Sequence, residues 1–507
     1  MIEHLVPSGV SSSFALLVAA WLVSTLLYGL YNITIHPLRS YPGPLLWRMY
    51  RFPYARSLIA GRLPHDFLAI HKKYGPVVRV APNELSYTDS RALKPIYGHH
   101  NPATEGFSEF DKDRLEYQMS LSGGYSILNA PTGIHGRFRK LFSHSFSDKG
   151  MRDMQPRIQG FVDLLLSGLK DEAKMGGYTD ILKWYNWTTF DLIGELAFGE
   201  CFHCLETKTT DPWIAAVFGN VKAVPAMHMI RTYGLAGLLP YLTPKKGREA
   251  REENLRRNVA KIEERLLKGS EQRDFMDNVV EKSLDEKSSA EGKGMTKAEM
   301  VANASILVLG GSETTATLLS GTTYSLCKNP EVMKKLNAEV RSAFKNEDEI
   351  DLLSVGKLEY MLAVLDEGMR VYPPVPNQGN RVVPKGGAMV ADRWVPGGTS
   401  LQVQKYSTSY DPTNFTRPES FVPERWLPNP PVEFANDDRN AHAPFSLGPR
   451  NCIGRNLAYA EMRLILAKIC WNFDVELDEE RSGDWFDQKI FGLWEKKPLW
   501  VKLKSVR

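Results

Sequence analysis

One cysteine in this chain has neighbours suited to chemistry: Cys452, in the stretch FSLGPRNCIGRN from Phe445 to Asn456. A thiolate needs positive surroundings, and the residues that follow, IGRNLAYAEMRLILAKIC, read as a helix beginning just past the cysteine. The positive end of that helix and its free N–H groups then point at the sulfur. Gly448 permits a tight turn at positive φ, and Gly454 removes a side chain where something bulky must approach the backbone. Arg450 reaches an anionic group on the same ligand, and Phe445 shields the sulfur. A flat macrocycle with iron at its centre and carboxylates at its rim meets each of these demands.

Other groups carry weaker signals. The apolar segment VANASILVLGGSETTATLLSG is interrupted by Gly310, Gly311, Ser312, Glu313, Thr314 and Thr315. Two glycines inside a helix cost about 1 kcal/mol each, and a buried carboxylate needs a partner or a proton. Either the helix opens at the glycines and lets Glu313 and Thr314 pass protons, or it is a kinked packing helix whose hydroxyls bond to the preceding turn. Glu367 and Arg370 stand three apart, the spacing of a commonplace surface ion pair. Arg425, in PERW, either docks onto a carboxylate or is an exposed arginine in a turn. Cys201-Phe-His-Cys204 has no second pair at zinc-finger spacing and reads as ordinary packing.

The elements that must position these groups come from a chain of 507 residues, 43% hydrophobic and 24% charged, large enough for an extensive core. A net charge of +4 with no basic block excludes nucleic acid as a partner, and five sparse cysteines point to a reducing compartment rather than a disulfide framework. From Leu5 to Ile35 there is no Asp, Glu, Lys or Arg. The run Phe14 to Tyr31, as a helix, reaches roughly 27 Å, the thickness of a bilayer's hydrocarbon core. Arg39, Arg48, Arg51 and Arg56 follow it, whereas Glu3 and His4 precede it, so the charge bias places the body on the cytoplasmic side. The expected organisation is an anchor over 1–35, a proline-rich hinge over 36–48 and a catalytic domain over 49–507. Within that domain, residues 150–370 show mainly helical spacing. Strand patterns occur near Val77 and from Val382, and the polar interval before Thr296 reads as an exposed loop leading into a long helix.

Phe445, Gly448, Arg450, Cys452 and Gly454 match the pattern FxxGxRxCxG in full, and the chain resembles the cytochrome P-450 haem-thiolate monooxygenases over essentially its whole length. The resemblance implies a mainly α fold with small β-sheets (α+β): a triangular helical body around a buried haem, preceded by one transmembrane helix. It implies haem b with Cys452 as axial thiolate and metal ligand, Glu313 and Thr314 as the catalytic acid and alcohol, and Glu367, Arg370 and Arg425 as a buried structural triad. Where the family often has Trp-x-x-x-Arg, this chain has His135 and Arg139; with Arg381 and Arg450 they are the implied propionate ligands.

No flavin or nicotinamide fingerprint is present, so the resemblance implies that NADPH acts indirectly through NADPH–cytochrome P-450 reductase, with cytochrome b5 as a further candidate donor. Arg137, Lys140 and Arg455 are either its docking surface or a solvated face. The implied location is the endoplasmic reticulum membrane, catalytic domain facing the cytosol. The implied substrate is a lipophilic small molecule, hydroxylated or epoxidised, with fungal enzymes of polyketide, terpenoid or alkaloid metabolism closest in appearance. Its pocket would draw on Phe107 to Tyr125, the stretch from Val217, Ala302, Ile306, Val375 to Gln378, and Ile490. The alternatives are a related isomerase, dehydratase or ring-coupling oxidase, or a membrane-anchored haem sensor.

Overall fold

The charge-free N-terminal run forms one helix, Ser8–Thr34, in a computed structural model that describes residues 8–507 apart from 121, 220, 244 and 378. Glu3, His4, Asn220 and Gln378 therefore lie outside the described residues. The segment Ser13–Thr34, 22 residues with mean hydropathy 1.9, is long and apolar enough to cross a membrane. Its Phe14, Leu17, Trp21 and Leu27 are exposed. Its last turns are tied to the body: Asn32 Nδ2 donates to Met49 O at 2.8 Å, and the buried Arg79 guanidinium donates to Asn32 O at 2.6 Å. In the connector, Leu38 and Tyr41 are buried, and Arg79 N–H donates to Pro42 O at 2.8 Å.

The body is mostly helical. Its central helix, Lys297–Lys328, starts with a capping box between Thr296 and Glu299 and stops at Asn329, before Pro330. It stays helical through Gly310 and Gly311. Because it is apolar nearly all round, it is packed against the helices Ile181–Phe198, Lys245–Leu267, Glu359–Val371 and Arg455–Asn472.

A five-stranded sheet in the order β1-β2-β8-β5-β3 joins Val77–Ala81 (β1), Glu84–Tyr87 (β2), Asp111–Lys112 (β3), Arg381–Val382 (β5) and Ser400–Val403 (β8). A second sheet, β4-β10-β9, joins Tyr178–Asp180 (β4), Phe473–Leu477 (β9) and Trp500–Ser505 (β10). The hairpin Ala388–Val390 (β6) and Arg393–Val395 (β7) turns on Ala391 and Asp392, both at positive φ as a two-residue hairpin turn requires. One expectation is corrected: the interval before Thr296, read as an exposed loop, holds a helical turn, Glu286–Ala290. The second sheet lies beyond the strand patterns read near Val77 and from Val382, and its edge strand β4 is only three residues long.

Candidate active site

The loop before the helix Arg455–Asn472 presents Cys452. It closes on itself where Cys452 N–H donates to Phe445 O at 2.8 Å. Ser446 and Gly448 both take positive φ, and a Cβ on Gly448 would lie 2.1 Å from Tyr97 O, so only glycine fits there. The Phe445 ring lies 5.3 Å from that of Tyr459. Burial pushes the Cys452 thiol up, while the Gly454 N–H and then Lys405, Arg139 and Arg455 pull it down. Cys452 is nonetheless an exposed residue, so the surrounding groups leave room beside it. Arg139 braces the loop, donating to Asn451 O at 2.9 Å and to Asn451 Oδ1 at 2.8 Å. Lys405 Nζ donates to Pro444 O at 2.7 Å.

Arg450 leads from this loop to a buried cluster of charge. Its Nη2 donates to Glu109 Oε1 at 2.7 Å and its Nη1 to Ala130 O at 2.8 Å. His135 and Arg381 are each 5% exposed, and neither side chain donates a hydrogen bond to a described residue. The His135 imidazole is pushed down to about 3 by burial and then by Arg450. Arg381 has only the Tyr97 ring, 5.4 Å from its guanidinium carbon. Arg381 is in this respect a buried cation with no ion-pair partner among the described residues, a costly arrangement that a ligand's carboxylate would relieve.

The central helix supplies the opposite wall. Asn303 Oδ1 accepts from Ile127 N–H at 2.7 Å, which ties the segment before Ala130 to that helix. The two glycines do different things: a Cβ on Gly311 would meet Ile193 at 2.6 Å, whereas a Cβ on Gly310 would meet nothing within 4 Å. Gly311 is thus a packing contact and Gly310 an open face. Thr314 Oγ1 lies on that face and donates to Gly310 O at 2.8 Å. Glu313 is about 100° round the helix. Its carboxylate accepts from Lys496 Nζ at 2.5 Å, and Lys496 also donates to Thr317 Oγ1 at 2.8 Å. The two candidate proton donors therefore face different spaces.

Behind this wall Glu367, Arg370 and Arg425 come together, all at most 1% exposed. Arg370 grips both carboxylate oxygens at 2.7 and 2.8 Å, and Arg425 Nε donates to Glu367 Oε1 at 3.2 Å. The readings of a surface pair and an exposed arginine are excluded.

Comparison with known proteins agrees with this geometry. The family model described as Cytochrome P450 matches residues 41–502. The chain belongs to the cytochrome P450 family. It is 48% identical to an averantin hydroxylase of Dothistroma septosporum over 99% of this chain and 93% of that protein. A versicolorin B desaturase of the same organism is 45% identical over 96% and 92%. The cytochrome P450 monooxygenase stcF of Emericella nidulans is 45% identical over 97% and 99%.

Membership makes this P450 a haem-thiolate monooxygenase. The residues present suit such a group, since the exposed Cys452 and the Arg381 guanidinium without an ion-pair partner offer a metal ligand and a carboxylate ligand. Sequence reasoning missed Glu109, Lys112, Lys405 and Lys496. No local pattern marks them, because each acquires its partner only through the fold. Beyond Glu313, Lys496 also lines a cavity of about 340 Å³ with Leu182, Phe190, Ile214 and Trp494.

Proposed function

We propose that this P450 hydroxylates or epoxidises a lipophilic intermediate of fungal secondary metabolism, with Cys452 as the thiolate that would hold the iron of haem b. Electrons come from NADPH through a membrane-bound reductase. Averantin and versicolorin B, named by the relatives, are the first molecules to test. The observation that carries the reading is an exposed cysteine held at a helix start and braced by Arg139 and Lys405, in a body whose central helix keeps an open face at Gly310. Haem bound through a thiolate supplies dioxygen activation and oxygen insertion into a C–H bond.

The chain's own residues do the rest. Burial raises the Cys452 thiol, and the Gly454 N–H at the helix start, Lys405, Arg139 and Arg455 oppose that rise, easing the negative charge that an iron ligand needs. Arg381 and His135 would hold the haem carboxylates, and Arg139 positions the cysteine loop through Asn451. Thr314, on the open Gly310 face, holds a water and passes it a proton. Glu313 replenishes that proton from the cavity behind it, which requires its carboxylate to leave Lys496. The N-terminal helix anchors the body at the endoplasmic reticulum membrane with the catalytic domain in the cytosol, a reading supported by the arginines that follow it.

The test is the reduced carbon monoxide difference spectrum, followed by turnover with reductase and NADPH on the two named compounds. Cys452→Ser is expected to abolish the thiolate signature, and a wild-type spectrum without that signature refutes the reading. Product mass separates oxygen insertion from the desaturation that the second relative's name records.

A further inference from the structure

Tyr459, partly buried on the helix Arg455–Asn472, has more ties than its place in the core requires. Its ring lies 5.3 Å from that of Phe445, and its O–H donates to Asp366 Oδ1 at 3.1 Å. Arg455 and Arg463, one turn before it and one turn after, hold their guanidinium carbons 5.8 and 4.6 Å from the ring centre. Arg455 also lies 5.9 Å from the Phe445 ring, so it spans both aromatics. Each cation–π contact is worth about 0.5–1 kcal/mol at such sites, and a hydrogen bond to a carboxylate about 1.5–3 kcal/mol. Burial and then the Asp366 carboxylate push the phenol up, so it remains a donor at neutral pH.

The two ends of this chain of contacts are the cysteine loop and the buried triad. Phe445 is the residue whose carbonyl accepts the Cys452 N–H at 2.8 Å, so displacing it displaces the cysteine amide. Asp366 precedes Glu367 on the helix Glu359–Val371, and Glu367 is locked by Arg370 and Arg425. We infer that Asp366 and Tyr459 form a strut that holds the Phe445 ring against the cysteine loop, which makes both of them positioning residues for the sulfur of Cys452. Neither touches the reacting atoms. A fixed ring keeps water from hydrogen-bonding to the sulfur, which then retains the electron density that it would donate to iron. Cutting the strut lets the ring move and water approach, and a hydrated sulfur donates less, which favours reduction of the iron. The inference rests on the haem reading above.

The experiment measures the ferric/ferrous reduction potential and the iron–sulfur stretching band in resonance Raman spectra of holoenzyme. The proteins are wild type, Tyr459→Phe, Asp366→Leu, the double variant and Asp366→Asn. Tyr459→Phe keeps the ring and removes only the hydroxyl. It is expected to favour reduction several-fold, up to about tenfold or about 59 mV for one electron, and to lower the stretching frequency. Asp366→Leu is expected to match it and the double variant to go no further, because residues in one path of contacts do not act additively. Asp366→Asn, whose oxygen still accepts the phenol proton, is expected to stay near wild type. An unchanged potential in Tyr459→Phe, additive shifts in the double variant, or an Asn variant shifted as far as the Leu variant overturns the inference. Tyr459→Phe decides alone if the Leu variant does not bind haem. The reduced carbon monoxide spectrum of wild type tests Cys452 separately, so a thiolate signature with unshifted variants overturns the strut and leaves the haem reading standing.

Discussion

Replacing Glu367 by Gln tests whether the buried triad holds the core. The carboxylate accepts from Arg370 twice, from Arg425 Nε, from Val422 N–H at 2.8 Å and from Trp426 Nε1 at 2.8 Å. Gln has nearly the same shape but offers one oxygen and one NH2, so the NH2 would face N–H donors of Arg370 and Trp426. Two charge-assisted bonds are lost at about 1.5–3 kcal/mol each, in line with the 3–5 kcal/mol typical of breaking a buried pair. Unfolding entropy of about 2.1 cal/mol/K per residue gives about 1 kcal/mol/K for 507 residues, so the melting temperature is expected to fall by about 3–5 °C. The assay is thermal unfolding followed by Soret absorbance, with the carbon monoxide spectrum recorded beforehand to normalise for haem. A variant that melts within about 1 °C of wild type would refute the reasoning, since it would mean that the two guanidinium groups find equal partners without the carboxylate.

Three further outcomes follow from the same geometry. Thr314→Val keeps the helix but removes the hydroxyl, so NADPH consumption is expected to continue while product per NADPH falls several-fold; unchanged coupling removes the proton-passing role. Gly448→Ala forces a Cβ into Tyr97 O at positive φ and is expected to prevent haem incorporation, which the Soret-to-protein absorbance ratio reads directly. Burial raises buried Glu461 from 4.5 to about 8, against a hydrogen bond from Thr315. The folded state then holds this proton more tightly than the unfolded one, so the stability it contributes is full below about pH 4.5 and is lost as pH rises through 8. Glu461→Gln is expected to flatten the decline in melting temperature between those limits, and an unaltered slope counts against the assignment.

Several parts of the active site were legible because they are local. The Cys452 loop needs glycine where φ is positive and a helix start beside the sulfur, and both demands fall within ten residues. The apolar N-terminal helix is equally local, since length and apolarity sufficient to cross a membrane are read directly from a charge-free run. The helix carrying Glu313 and Thr314 was recognisable, yet its glycines were not separable by sequence. Gly311 is explained by Ile193 and Gly310 by the absence of any neighbour, and both facts belong to packing.

By itself, then, the sequence determined the family, an N-terminal helix long and apolar enough to span a membrane, and the candidate iron ligand, because each is written along one segment, whereas the triad was legible only through the family resemblance. Only the tertiary structure decided which charges meet. Lys112 faces Arg381 across 269 residues of sequence through strand register, Arg450 finds Glu109, and Lys496 turns Glu313 away from Thr314. Those pairings depend on which segments lie side by side in a medium of low polarity, where an ion must have a partner. No periodicity along the chain encodes that choice.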